Sequence, residues 1–313
     1  MKTIKLAGAF AAFALVSTAS LAAEPESCGT VRFSDVGWTD ITATTAATTE
    51  VLKALGYETD IKVLSVPVTY ASLSKKDIDV FLGNWMPSMA ADLQPYLDDK
   101  SVESIKANLE GAKYTLATNK AGADLGIADF ADIAKNKDAL EGKIYGIEPG
   151  NDGNRLILDM IEKNAFDLGG FDVAESSEQG MLAQVAKLDK DAKPIVFLGW
   201  APHPMNANFK LTYLAGGDDV FGPNFGGATV YTNVRAGYTT ECPNAGMLIK
   251  NLKFSLPMEN EIMKKIIDDG MEPEAAATDW LKANPGAAEA WLAGVTTRDG
   301  GDAMAAVKSA LGL

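Results

Sequence analysis

Val31-Arg-Phe-Ser-Asp-Val-Gly-Trp38, Asp79-Val-Phe-Leu-Gly-Asn-Trp85 and Pro194-Ile-Val-Phe-Leu-Gly-Trp200 are three versions of one phrase. Each is an apolar run rich in β-branched or aromatic residues, which reads as a strand. Each is then broken by Gly or Asn and closed by an indole. Helical runs alternate with these strands, as in Ile41–Leu55, which Gly56 stops and for which Thr39 and Asp40 are cap candidates. Strands alternating with helices predict an α/β fold, and in open α/β sheets ligands sit at the crevice outside the carboxyl ends of the strands. Three indoles delivered to that edge from distant parts of the chain can converge on one spot. A single tryptophan there is as well read as an ordinary core residue. Three in one context point to a small cation, because indole faces carry negative quadrupole charge.

Outward from these phrases, further strands are predicted at Thr59–Val66, Lys113–Thr118, Lys143–Ile147, Phe209–Tyr213 and Ala228–Val234. Ser101–Asn108 reads as an amphipathic connector. Helices are predicted at Ile127–Asn136, from Arg155 to Asn164, after Ser177, and through most of the tail from Pro243 to Leu311. No linker of low complexity divides the chain, yet it is long for one core. Two lobes joined by strands are therefore expected, one from 24–110 plus 208–313 and the other from 111–207. That division sets Trp38 and Trp85 against Tyr114 and Trp200 across a cleft.

The first residues, Met1-Lys2-Thr3-Ile4-Lys5, an apolar run from Leu6 to Val16 and the small residues to Ala23, read as a cleavable export signal. Its loss, with Lys2 and Lys5, moves the formal charge from -14 to about -16. That excess disfavours nucleic acid and anionic membranes and mildly favours cationic partners. In an oxidising, periplasmic setting the only two cysteines, Cys28 and Cys242, are expected to pair within one lobe. Glu24-Pro25-Glu26-Ser27 lacks the small apolar residues that a lipid-anchoring signal needs before Cys28.

Catalytic chemistry finds little footing. The only histidine, His203, lies in the rigid turn Pro202-His203-Pro204 and is expected to aim away from the cleft. There is no Gly-x-Ser-x-Gly elbow, no His-Glu-x-x-His and no dinucleotide-binding glycine motif. Asp98-Asp99 and Asp218-Asp219 read as solvated loop charges. The turn around Asp152 lacks the distal Glu of a calcium loop, so no catalytic residue, metal or cofactor is expected. The Glu148–Asn154 loop joins a strand to a helix; it either meets a ligand or is a turn chosen for its backbone geometry. Asp40 either caps its helix or sets a negative charge beside the indoles.

Phe33-Ser-Asp-Val-Gly-Trp-Thr-Asp-Ile-Thr42, Val80-Phe-Leu-Gly-Asn-Trp-Met-Pro87, Ile144-Tyr-Gly-Ile-Glu-Pro-Gly-Asn-Asp-Gly-Asn154 and Phe197-Leu-Gly-Trp200 resemble the substrate-binding proteins of ABC importers for choline, glycine betaine and related quaternary amines. The likeness spans essentially the whole chain after the export signal. It implies a two-lobed periplasmic binding protein, type II-like, that closes on its ligand about a hinge and delivers it to a membrane permease. It also implies an aromatic box of Trp38, Trp85, Tyr114 and Trp200, with Asp40 as counter-charge and Asn151 near the hydroxyl end. Choline is the expected ligand, glycine betaine or another betaine the alternative, and the protein is expected to act as a monomer. A secreted enzyme acting on choline esters is the reading from another class; it lacks a nucleophile and base.

Overall fold

The computed structural model describes residues 24–312; the segment read as an export signal lies outside them. The strand-like runs become β1 (Thr30–Asp35), β2 (Glu58–Val63), β3 (Val80–Met86), β4 (Val102–Thr118), β5 (Lys143–Tyr145), β6 (Asp172–Ala174), β7 (Val196–Ala201), β8 (Thr212–Tyr213) and β9 (Gly227–Arg235). All join one mixed sheet in the order β2-β1-β3-β9-β4-β7-β5-β6, with β8 pairing to β4 off that path. β3 is apolar without alternation because it is buried along six of its seven positions, as expected of a strand covered on both faces. Helices cover the sheet, and the expected α/β class is the observed one.

β4 is the main departure from the sequence reading. Ser101–Asn108, taken as a connector, is continuous with the predicted strand from Lys113, forming one strand of 17 residues. Its Glu103, Lys106 and Glu110 face solvent while its backbone pairs with β9 from Val102↔Arg235 to Lys113↔Gly227. A sheet wet on one face carries such charges without being a loop. Beyond that point β4 changes partner and pairs with β7, from Lys113↔Ala201 to Thr118↔Val196.

The two antiparallel strands β4 and β9 therefore lie between β2-β1-β3 on one side and β7-β5-β6 on the other. β8 pairs with Ala117 and Thr118, and Asp129 bridges Ala215, so residues 212–215 are neighbours of the β7 side. The tail is helical as expected, including Leu256–Ile267 and Pro273–Ala283, which pack on the Thr39–Ala54 helix. Cys28 and Cys242 form a disulfide, Cα atoms 5.6 Å apart and 214 positions apart in sequence. It clasps the segment before β1 to the helix Pro243–Asn251.

Candidate ligand-binding site

Each tryptophan phrase ends where the chain must turn. After β1, Gly37 adopts φ +81° and its amide donates to Asp35 Oδ1 at 2.7 Å. That turn sets Trp38, rather than Thr39 or Asp40, as the N-cap residue of the Thr39–Ala54 helix, with no side-chain cap from its own segment. Asp40 falls inside the first turn, where helix N-terminal partial charge favours a carboxylate. Trp85 and Trp200 are the penultimate residues of β3 and β7, each followed two residues later by a cis-proline, Pro87 and Pro202. Tyr114 on β4 stands directly opposite Trp200 in the β4–β7 register.

These elements meet at one small cavity, lined by Trp38, Asp40, Trp85, Tyr114, Ile147, Asp152 and Trp200. The Tyr114 ring lies 6.1 Å from that of Trp85 and 6.2 Å from that of Trp200, tilted by 59° and 78°. Polar ends of these side chains are tied to neighbouring side chains. Trp38 Nε1 donates to Glu148 Oε1 at 2.9 Å, Trp85 Nε1 to Asp40 Oδ2 at 3.1 Å, and Tyr114 Oη to Asn151 Oδ1 at 2.9 Å. These N–H and O–H bonds fix the orientation of the three rings in this arrangement.

Five of the six residues singled out from sequence line this cavity. Asn151 does not: it stands one layer behind, as the N-cap of the helix Asp152–Glu162, its Oδ1 accepting from Gly153 N and Asn154 N as well as from Tyr114. An N-cap side chain turns back over its own helix amides, which takes it off the wall. Asp152, the next residue, is on the wall instead. Close packing requires Gly153 behind it, since a Cβ there would lie 2.0 Å from Tyr114 Oη. The signal that marks Asp152 is its place: an acid in the first turn of a helix that follows a strand, as Asp40 is.

Electrostatically the wall is acidic. Burial, and secondly the charge of Glu178, push the Asp40 carboxyl up to about 8. Burial, with Asp92 nearby, pushes Asp152 up to about 6. Asp40 Oδ1 and Asp152 Oδ2 are fully buried and lack hydrogen-bond partners among the described residues, a costly state for a carboxyl unless a ligand compensates it. No Lys, Arg or His lines the cavity. Arg155, the nearest expected cation, is engaged elsewhere, donating to Ser88 O at 3.0 Å and Asp92 Oδ2 at 2.7 Å.

His203 is off the wall, as expected, but not remote: its ring packs edge-on against Trp200 at 5.1 Å. Nδ1 accepts from Met205 N, which leaves Nε2 as the protonated nitrogen, facing Glu178 Oε1 at 3.2 Å. Sequence reasoning passed over Glu178 apart from the cap before it, because its partners lie far along the chain.

The family described as the substrate-binding domain of ABC-type glycine betaine transport systems matches residues 29–283. The chain belongs to that family. This substrate-binding domain is 75% identical to an ABC-transporter choline-binding protein solved in complex with choline, over 92% of this chain and 100% of that one, with a TM-score of 0.91. The same degree of identity and coverage holds for a choline-binding protein in an unliganded semi-closed conformation, at a TM-score of 0.85. A glycine betaine/carnitine transport binding protein of Listeria monocytogenes is 31% identical over 157 residues, 50% of this chain and 51% of that one. The family is one of transport, and no helix among the described residues is long and apolar enough to cross a membrane.

Proposed function

We propose that this chain is the periplasmic, choline-capturing component of an ABC importer, a binding protein and not an enzyme. One observation carries the choice of ligand: four aromatic side chains share a small cavity with two buried carboxyls, each with an unpartnered oxygen, and no cationic side chain. A trimethylammonium group meets ring faces and negative charge together. Glycine betaine, which the family description favours, brings a carboxylate of its own toward those acids, and no cationic donor on the wall offsets it. Trp38, Asp40, Trp85, Tyr114 and Trp200 are proposed as contacts, with Asp152 added and Asn151 as the residue that positions Tyr114 and Asp152.

Capture is proposed to close two lobes about the β4–β9 pair. Gly111 and the crossing from Gly226 to Gly227 are the bending points, the second later than the boundary at 207/208 read from sequence. The partnering of β8 with Ala117 and Thr118 supports that shift. Titration calorimetry with choline and glycine betaine is the test. Wild-type protein is expected to saturate with choline, without product, and to prefer it. Asp40→Asn is expected to weaken choline by at least about tenfold, because a buried ammonium loses counter-charge, and to weaken betaine less. Wild-type preference for betaine, or equal losses for the two ligands, overturns the choline assignment.

A further inference from the structure

The geometry points to Glu178 as a latch across the cleft: a carboxylate from one lobe that caps the helix carrying Trp38 and Asp40 in the other, and so sets how long the closed state lasts. This rests on the proposed closure about β4 and β9. Glu178 opens the helix Glu178–Lys190 behind its Ser177 cap and touches neither the cavity nor the hinge. Its Oε2 accepts from Thr39 N at 2.9 Å and its Oε1 from Thr39 Oγ1 at 2.5 Å. The same Oε1 faces His203 Nε2 at 3.2 Å, and His203 packs on Trp200.

The Thr39–Ala54 helix has no side-chain cap of its own, so the cap is supplied from the facing lobe. A helix N-terminus needs such acceptors, and here the need is met only when the lobes meet. Thr39 lies between the two wall residues Trp38 and Asp40. Fixing it fixes both, while His203 ties the same carboxylate to Trp200 on the other side.

Other polar contacts also cross the cleft: Trp38–Glu148, the Arg155 contacts with Ser88 and Asp92, and the exposed Asn208–Asp268 bond. The Arg155–Asp92 pair is partly wet, its side chains 34% and 14% exposed, and water replaces such a bond readily. Glu178 is 1% exposed, and bonds to a dry carboxylate are the strong ones. Opening the cleft breaks them, and the cost falls on the release step.

A cycle of Glu178→Gln and Thr39→Val tests the latch, with Thr39→Ser as the conservative rescue that keeps the hydroxyl. Each single variant is expected to raise the choline dissociation rate about tenfold, with little change in association rate. Thr39→Val is expected to add little in the Glu178→Gln background. The ligand-free melting temperature is expected to hold while the choline-saturated one falls. Cross-cleft distances between spin labels, measured with and without choline, report the closed fraction directly, so the latch is judged even where choline fails to bind. A lower closed fraction in Glu178→Gln, restored in Thr39→Ser relative to Thr39→Val, supports it. Additive effects, an unchanged closed fraction, or equal loss of stability with and without ligand overturns it. The choline reading is judged separately, by the wild-type titration alone.

Discussion

Trp85 and Trp200 are each only 4% exposed, so a cation held against their faces is desolvated and the contact contributes roughly 2 kcal/mol. Trp85→Ala or Trp200→Ala is expected to weaken choline more than about tenfold by calorimetry. Tyr114→Phe keeps the ring, and Asn151 Oδ1 keeps two backbone donors, so a much smaller loss is expected. Three variants all within twofold of wild type would mean that these are core residues only. The carboxyls add a dependence on pH. The cleft closed without a cation retains the Asp40 proton up to about 8 and the Asp152 proton up to about 6, both chiefly because of burial. Bound cation favours the ionised forms. The excess of bound protons therefore lies on the ligand-free side, and affinity is expected to fall as pH drops below about 8. The fall should steepen below about 6, at no more than about tenfold per pH unit for each proton. Calorimetry from pH 5 to 9 checks this; Asp40→Asn should flatten the upper part of the profile, and an affinity that rises on acidification would contradict the assignment of the acidic wall.

At the scale of elements, the disulfide and the site belong to different parts of the fold. Cys28 and Cys242 tie the start of β1 to the Pro243–Asn251 helix, and neither cysteine lines the cavity. Reduction is expected to destabilise the protein by about 2–5 kcal/mol and to leave choline affinity within about twofold at temperatures where it stays folded. Melting curves and titrations with and without reductant read both. The strands that deliver Trp38, Trp85 and Trp200 were legible because each is an apolar run stopped by a turn residue, a pattern local to eight or fewer positions. β4 was half legible: its charged outer face over Ser101–Asn108 hid a strand whose identity depends on pairing with β9, more than a hundred residues later. Asp152 was hidden for a similar reason. Next to Asn151 in a turn, either residue could reach a ligand, and only the helix geometry decides which one caps and which one lines. Glu178 has no local mark at all, because Thr39 and His203 become its neighbours only through closure of the whole chain.

For the molecule as a whole, one sheet runs through both halves and narrows to β4 and β9 between them. Their hydrogen bonds run to Lys113↔Gly227, so the proposed bending is expected to be confined to a pair of strands that bend together, and closure to proceed as one rigid-body motion. Small-angle scattering is expected to show a smaller radius of gyration on adding choline, since ligand favours the state in which both walls touch it. An unchanged profile at saturation would indicate a preformed pocket. The distribution of indoles gives the molecule an optical voice of its own. Three of its five tryptophans line the cavity. The other two sit in the helical tail, Trp280 Nε1 donating to Glu261 and Trp291 Nε1 to Lys253 O, and neither lines the cavity. Parting of the proposed lobes is expected to wet three emitters at once and to leave two as a steady background. The colour of its intrinsic fluorescence is therefore expected to track occupancy by the proposed ligand, so that an unlabelled sample would report each binding and release event in real time.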